Sequence, residues 1–155
     1  MKSQQKVLIT GATSGLGLEF AQLAHDAGWQ LLLTGRNAKA LDELQTKYAS
    51  AKTHMADLST EEGLASLLAW ISDLPLDALI NNAGFGLGCD IVASKQPVLD
   101  DMVAVNIKAL VTLSRTAAIG MIKRGTGCIL NVASIAAFMP GPYLATYYAS
   151  KAFVL

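Results

Sequence analysis

Lys6-Val7-Leu8-Ile9-Thr10-Gly11-Ala12-Thr13-Ser14-Gly15-Leu16-Gly17 carries the strongest fold signal in the chain. It opens as a short run of strand formers and breaks into glycines spaced G-x-x-x-G-x-G. A helical pattern follows at once, from about Ser14 to Ala27, with Leu16, Phe20, Leu23 and Ala24 predicted on one inward face. In this arrangement Gly11 lets the chain leave the strand sharply. Gly15 lets backbone approach a pyrophosphate at a helix N-terminus, and Gly17 lets helix and sheet pack closely. An ordinary glycine-rich turn between strand and helix would read the same in isolation, so the rest of the chain has to decide.

The alternation continues. Gly28 stops the first helix. Gln30–Thr34, with three consecutive leucines, reads as a strand covered on both faces. Asn37 caps a helix to about Tyr48 with Leu41 and Leu44 inward, and Lys52–Met55 is a weaker third strand. Ser59 at the N-cap and Glu62 at N3 form a capping box that opens a helix to about Ser72. Asp77–Ile80 is a fourth strand, ending in Asn81-Asn82-Ala83-Gly84. A long helix follows Pro97 and ends near Arg124. Cys128–Val132 is the fifth strand, and a last helix starts near Thr146. This order predicts an α/β fold, a doubly wound parallel sheet of Rossmann type with strand order 3-2-1-4-5 in a single domain. Ligands bind such sheets beyond the carboxyl ends of the strands, where the order reverses between strands 1 and 4.

Composition narrows the function classes. The 155 residues carry 12 Lys+Arg against 12 Asp+Glu, with 52% hydrophobic and only 15% charged residues. A disordered solvating tail is excluded, and the clustered basic charge that non-specific nucleic-acid binding needs is missing. The charged share lies well below the ~25% of an average domain. Either both sheet faces are buried, or part of the surface is meant to be covered. Val7–Ile9 is too short for a secretory segment, and the most apolar stretch, Ile107–Ile122, contains Lys108 and Arg115. Neither export nor membrane insertion is expected. Cys89 and Cys128 lie 39 positions apart with no CxxC pair. They read as two small buried hydrophobes in a reducing, cytoplasmic setting, and no metal site is expected.

Two further clusters sit at strand ends. In Thr34-Gly35-Arg36 an acidic residue would accept from a ribose 2′-hydroxyl. Arg36 suits a 2′-phosphate instead, which points to NADP(H) over NAD(H). A solvated loop arginine is the plain alternative, and Ser14 supplies no second basic residue before Gly15. Ser134 follows strand 5, while Tyr147 and Lys151, four apart, share one face of the last helix. An unassisted phenol, near pKa ~10, transfers protons poorly at neutral pH; an ammonium beside it favours the phenolate. Such a phenol can act as acid to a carbonyl oxygen or base to an alcohol, with Ser134 bonded to the same oxygen. Tyr143 and Tyr148 lack the four-residue spacing to Lys151. Alone, Y-x-x-x-K also fits an amphipathic surface helix.

Taken in order, Thr10 to Gly17, Asp57, Asn81 to Gly84, Asn106, Ser134, and Tyr147 with Lys151 make the chain resemble the N-terminal part of a short-chain dehydrogenase/reductase. The Ser-to-Tyr gap of 13 matches too. The resemblance covers nearly the whole chain. It implies that Gly11, Ser14, Gly15 and Leu16 line a dinucleotide pyrophosphate, with Thr13 and Gly17 in the same cofactor-binding turn. Asp57 and Leu58 would flank the adenine, and Asn82, Ala83 and Gly84 the adenosine ribose. Asn106 would interrupt the long helix and hold a water in a proton relay to Lys151. Lys151 would bind the nicotinamide ribose, while Ser134 and Tyr147 hold the substrate oxygen. Asp57 and Asn106 also read as a plain turn residue and a kink former.

The family continues beyond its Y-x-x-x-K helix, so this chain is expected to lack the family's last strands and to leave strand 5 as an apolar edge. The helix from Pro97 to Arg124 resembles the family's dimer-forming helix, implying a homo-oligomer. The implied activity is NADP(H)-dependent interconversion of a small-molecule carbonyl and an alcohol. The alternative is a non-catalytic dinucleotide-binding module or inactive fragment. An epimerase or dehydratase fits the glycine spacing less well.

Overall fold

The computed structural model describes residues 4–155. Strands β1 (Lys6–Thr10), β2 (Gln30–Gly35), β3 (Lys52–Met55), β4 (Ala78–Asn81) and β5 (Cys128–Asn131) form one sheet ordered β3-β2-β1-β4-β5. Every pairing is parallel. The predicted topology is the observed one.

Alternation along each strand splits the apolar residues between two cores. Leu8, Leu32 and Leu79 face one side, against α3 (Glu61–Ile71) and the long helix. Val7, Ile9, Leu31, Leu33 and Ala78 belong to the opposite core with Leu41, Leu44 and Tyr48 of the second βα unit. The three-leucine run is therefore one residue for one core and two for the other. That is how a doubly covered strand accounts for much of the apolar excess.

Three local expectations change. In α1 (Leu16–Asp26) the buried residues are Gly17 and Ala21, backed by Phe20 and Ala24, while Leu16 and Leu23 are exposed. The helix is turned by its start: a side chain on Gly17 would run into the Gly11 carbonyl and come within 2.9 Å of the Ala12 Cα. The small residues therefore face the strand. In α3 the N-cap is Thr60, whose Oγ1 accepts from Gly63 N at 3.0 Å. Ser59 is diverted, donating its N–H and O–H to Asp57 Oδ1 at 2.9 and 2.8 Å. Cys128 is exposed and Cys89 half-buried. Cys128 pairs with Ala78 on the face where α1 and α2 (Ala38–Lys47) pack over β1–β3, so among the described residues no helix covers it.

The helix from Gln96 to Arg124 runs as α4 (Gln96–Val103), a π-helical segment (Ala104–Ala109) and α5 (Leu110–Arg124). By length and composition it would also suit a membrane. Here Val105, Ala109, Leu113, Ala117 and Met121 cover the sheet. The last helix, α6 (Ala145–Val154), packs on α4, on the π segment and on the 3-10 turn Ile135–Phe138.

A candidate nucleotide cleft and active site

A cleft of about 1130 Å³ runs across the carboxyl ends of the strands. Its wall contains Gly11, Thr13, Ser14, Gly15, Leu16, Arg36, Asp57, Leu58, Asn82, Ala83, Gly84, Ser134, Tyr147 and Lys151. Of the residues expected in a site, only Gly17 and Asn106 stand behind the wall. Gly11 and Gly15 have φ of +64° and +51°, a conformation that side chains resist. At Gly15, chain neighbours aside, no atom of the described residues lies within 4 Å of where a Cβ would stand. The backbone there is open to a ligand at the N-terminus of α1, where N–H groups favour an anion.

The turn after β4 braces the glycine turn. Thr10 Oγ1 accepts from Asn82 N at 3.0 Å and Ala83 N at 2.9 Å, and Asn82 Nδ2 donates to the carbonyls of Thr10 and Gly11. The Asn82 amide N–H groups are thus spent on holding the turn, while the residue still lines the cleft.

At one end of the cleft Arg36 is joined by Lys39, from the first turn of α2. Lys39 belongs to none of the sequence motifs. Its signal was a basic residue three positions after Arg36, legible only once Asn37 is placed as the helix cap, accepting from Ala40 N at 3.1 Å. Burial pushes the Asp57 carboxyl up, but bonds from the Ser59 N–H and O–H and the nearby Arg36 guanidinium outweigh it, leaving the pKa below the ordinary value. Thr34 Oγ1, buried at the same end, has no hydrogen-bond partner among the described residues.

At the other end, Ser134 caps the 3-10 turn by accepting from Ala136 N at 3.1 Å, which leaves its O–H free to donate. Lys151 is buried, and its Nζ donates to the Val132 carbonyl at 2.8 Å and lies 5.9 Å from the centre of the Tyr147 ring. Desolvation lowers its pKa. Asn106 does sit in the break of the long helix. Its side chain, however, is committed: Oδ1 accepts from Phe85 N at 3.1 Å, and Nδ2 donates to Phe85 O at 2.9 Å and Ser150 Oγ at 3.0 Å. Tyr143 and Tyr148 do not line the cleft. Among the described residues no cluster suited to a metal is present.

A parallel sheet with a glycine turn at its switch point, and Ser134, Tyr147 and Lys151 gathered at one end of the cleft, narrows the ancestry sharply. The family model described as short chain dehydrogenase matches residues 5–155. The chain belongs to the short-chain dehydrogenase family. It is 34% identical over 156 residues to the very-long-chain 3-oxoacyl-CoA reductase of Laccaria bicolor, covering 95% of this chain and 46% of that protein. It is 38% identical over 164 residues to sulfoacetaldehyde reductase 2 of Chromohalobacter salexigens, covering 96% of this chain and 62% of that one. Among solved structures it is similar to a short-chain dehydrogenase from Sphingobium yanoikuyae in complex with NADPH. There the TM-score is 0.90 at 32% identity, covering 97% of this chain and 61% of the other. This short-chain dehydrogenase chain therefore spans about half to three-fifths of the length of these relatives.

Proposed function

We propose that the cleft binds NADP(H) and that the protein carrying this chain interconverts a carbonyl and an alcohol. The observation that carries this reading is the polarity of the cleft. Two cations stand at one end, an open glycine turn in the middle, and a Ser–Tyr–Lys group at the other. A 2′-phosphate suits Arg36 and Lys39, and a pyrophosphate suits the open backbone at Gly15. A similar protein has been solved with NADPH. When bound, the nicotinamide group supplies or accepts the hydride.

The protein's part is the proton and the geometry. In reduction Tyr147 donates its phenolic proton to the carbonyl oxygen, and Ser134 donates a hydrogen bond to the same oxygen. Lys151, anchored on Val132 O, keeps further N–H groups for a ribose and for the phenol. Asn106 holds the turn after β4 to α6. We further propose a small-molecule substrate, a cytoplasmic setting, no nucleic-acid or membrane partner, and self-association through the long helix, where Val111, Ile119 and Ile122 are exposed.

The test is NADPH oxidation over a panel of ketones and aldehydes. Turnover by the wild type, lowered on the order of 100-fold or more by Tyr147→Phe with NADPH binding retained, supports the reading. Binding without turnover on any substrate supports the non-catalytic module instead.

A further inference from the structure

We infer that Ser150 is a positioning residue for Tyr147, fastening the turn that carries the phenol to the break in the long helix. As a contribution to catalysis, this rests on the reductase reading above. Serine is a poor choice inside a helix unless its hydroxyl has work there, and Ser150 sits mid-way along α6 with 1% of its surface exposed. Its O–H donates to the Tyr147 carbonyl at 2.8 Å, and its oxygen accepts from Asn106 Nδ2 at 3.0 Å. Both capacities are used by elements flanking the site.

The remaining bonds close a circuit. Asn106 grips both the N–H and the carbonyl of Phe85. The next residue, Gly86, lies against the Tyr147 ring so closely that a Cβ there would come within 2.9 Å of Cγ and Cδ2. The path leaves the Tyr147 backbone, passes through Ser150, Asn106 and Phe85, and returns to the Tyr147 ring. An alanine at position 150 breaks it twice: the Tyr147 carbonyl loses its extra donor, and a buried Asn106 N–H loses its acceptor. The ring then has a seat on one side only.

The test pairs a positional and a kinetic readout on the whole chain. Ring-labelled tyrosine NMR gives four signals, one for each tyrosine, with Tyr147 assigned by its loss in Tyr147→Phe. Ser150→Ala is expected to shift the Tyr147 signal and leave that of Tyr48 in place, and Ser150→Thr, which keeps the hydroxyl, to return it. In turnover, Ser150→Ala should lower kcat about 10-fold or more with the Kd for NADPH held within about twofold, as a misplaced acid does. An unmoved Tyr147 signal, or kcat and NADPH affinity lost together, would overturn the assignment. If the wild type shows no turnover, the reductase reading fails, and the Tyr147 signal alone still decides whether Ser150 holds that ring.

Discussion

Gly86→Ala tests whether the seat of Tyr147 is as tight as the geometry states. A Cβ at position 86 would stand 2.9 Å from Cγ and Cδ2 of the Tyr147 ring and 3.3 Å from Cδ1. Carbon atoms rest at about 3.5–4.0 Å, so one side must yield by roughly 0.6–1 Å. The Gly86 backbone is poorly placed to do so, because both polar groups of Phe85 are held by Asn106. Gly86 also lacks the positive φ of Gly11 and Gly15, so alanine is admissible there on backbone grounds and the effect is steric. The ring is left to move, and a ~1 Å displacement of a reacting group costs on the order of 100-fold. Steady-state NADPH oxidation should show kcat reduced 10- to 100-fold (roughly, on that scale), with NADPH affinity and thermal unfolding close to wild type. A variant with kcat within twofold of wild type would show that Gly86 does not fix the position of the Tyr147 ring.

Other consequences are simpler to measure. Replacing Arg36 by Asp together with Lys39 by Ala should weaken NADPH binding about 10- to 100-fold, the worth of charged hydrogen bonds of ~1.5–3 kcal/mol, while NADH binding changes little; calorimetric titration gives both. Thr60→Ala removes the cap of α3 and should cost about 1 kcal/mol in urea unfolding, whereas Ser59→Ala should leave that cap intact. Lys151 is held below its ordinary pKa by burial. The unfolded chain therefore binds the extra proton across the window between the folded value and ~10.4, and stability should rise with pH there. Lys151→Met should abolish that alkaline rise in unfolding free energy.

Much of the fold was legible because periodicity and punctuation carry it. The strands to within a residue at their ends, the Asn37 cap and the order β3-β2-β1-β4-β5 all follow from apolar runs separated by turn residues. Asn106 as the break in the long helix, and most of the cleft lining, were legible through motif order. What was not legible depended on phase or partners. Spacing alone places Leu16 and Leu23 inward on α1. The close approach of Gly17 to the Gly11 turn rotates them out, so that Leu23 is 65% exposed. The capping-box pattern puts the cap on Ser59, but Asp57 takes both the N–H and the O–H of Ser59, and the cap falls to Thr60. Cys128 reads as core by composition, and its exposure is a property of where α1 and α2 sit. Ser150, Gly86 and Lys39 gain their meaning only from residues distant in the chain or from the placement of α2.

The most direct test of the central claim is a titration of the chain with NADPH and with NADH. Saturable one-to-one binding of NADPH is expected, at least about 10-fold tighter than NADH if Arg36 and Lys39 hold a 2′-phosphate. No saturable NADPH binding, or NADH bound as tightly, would contradict it.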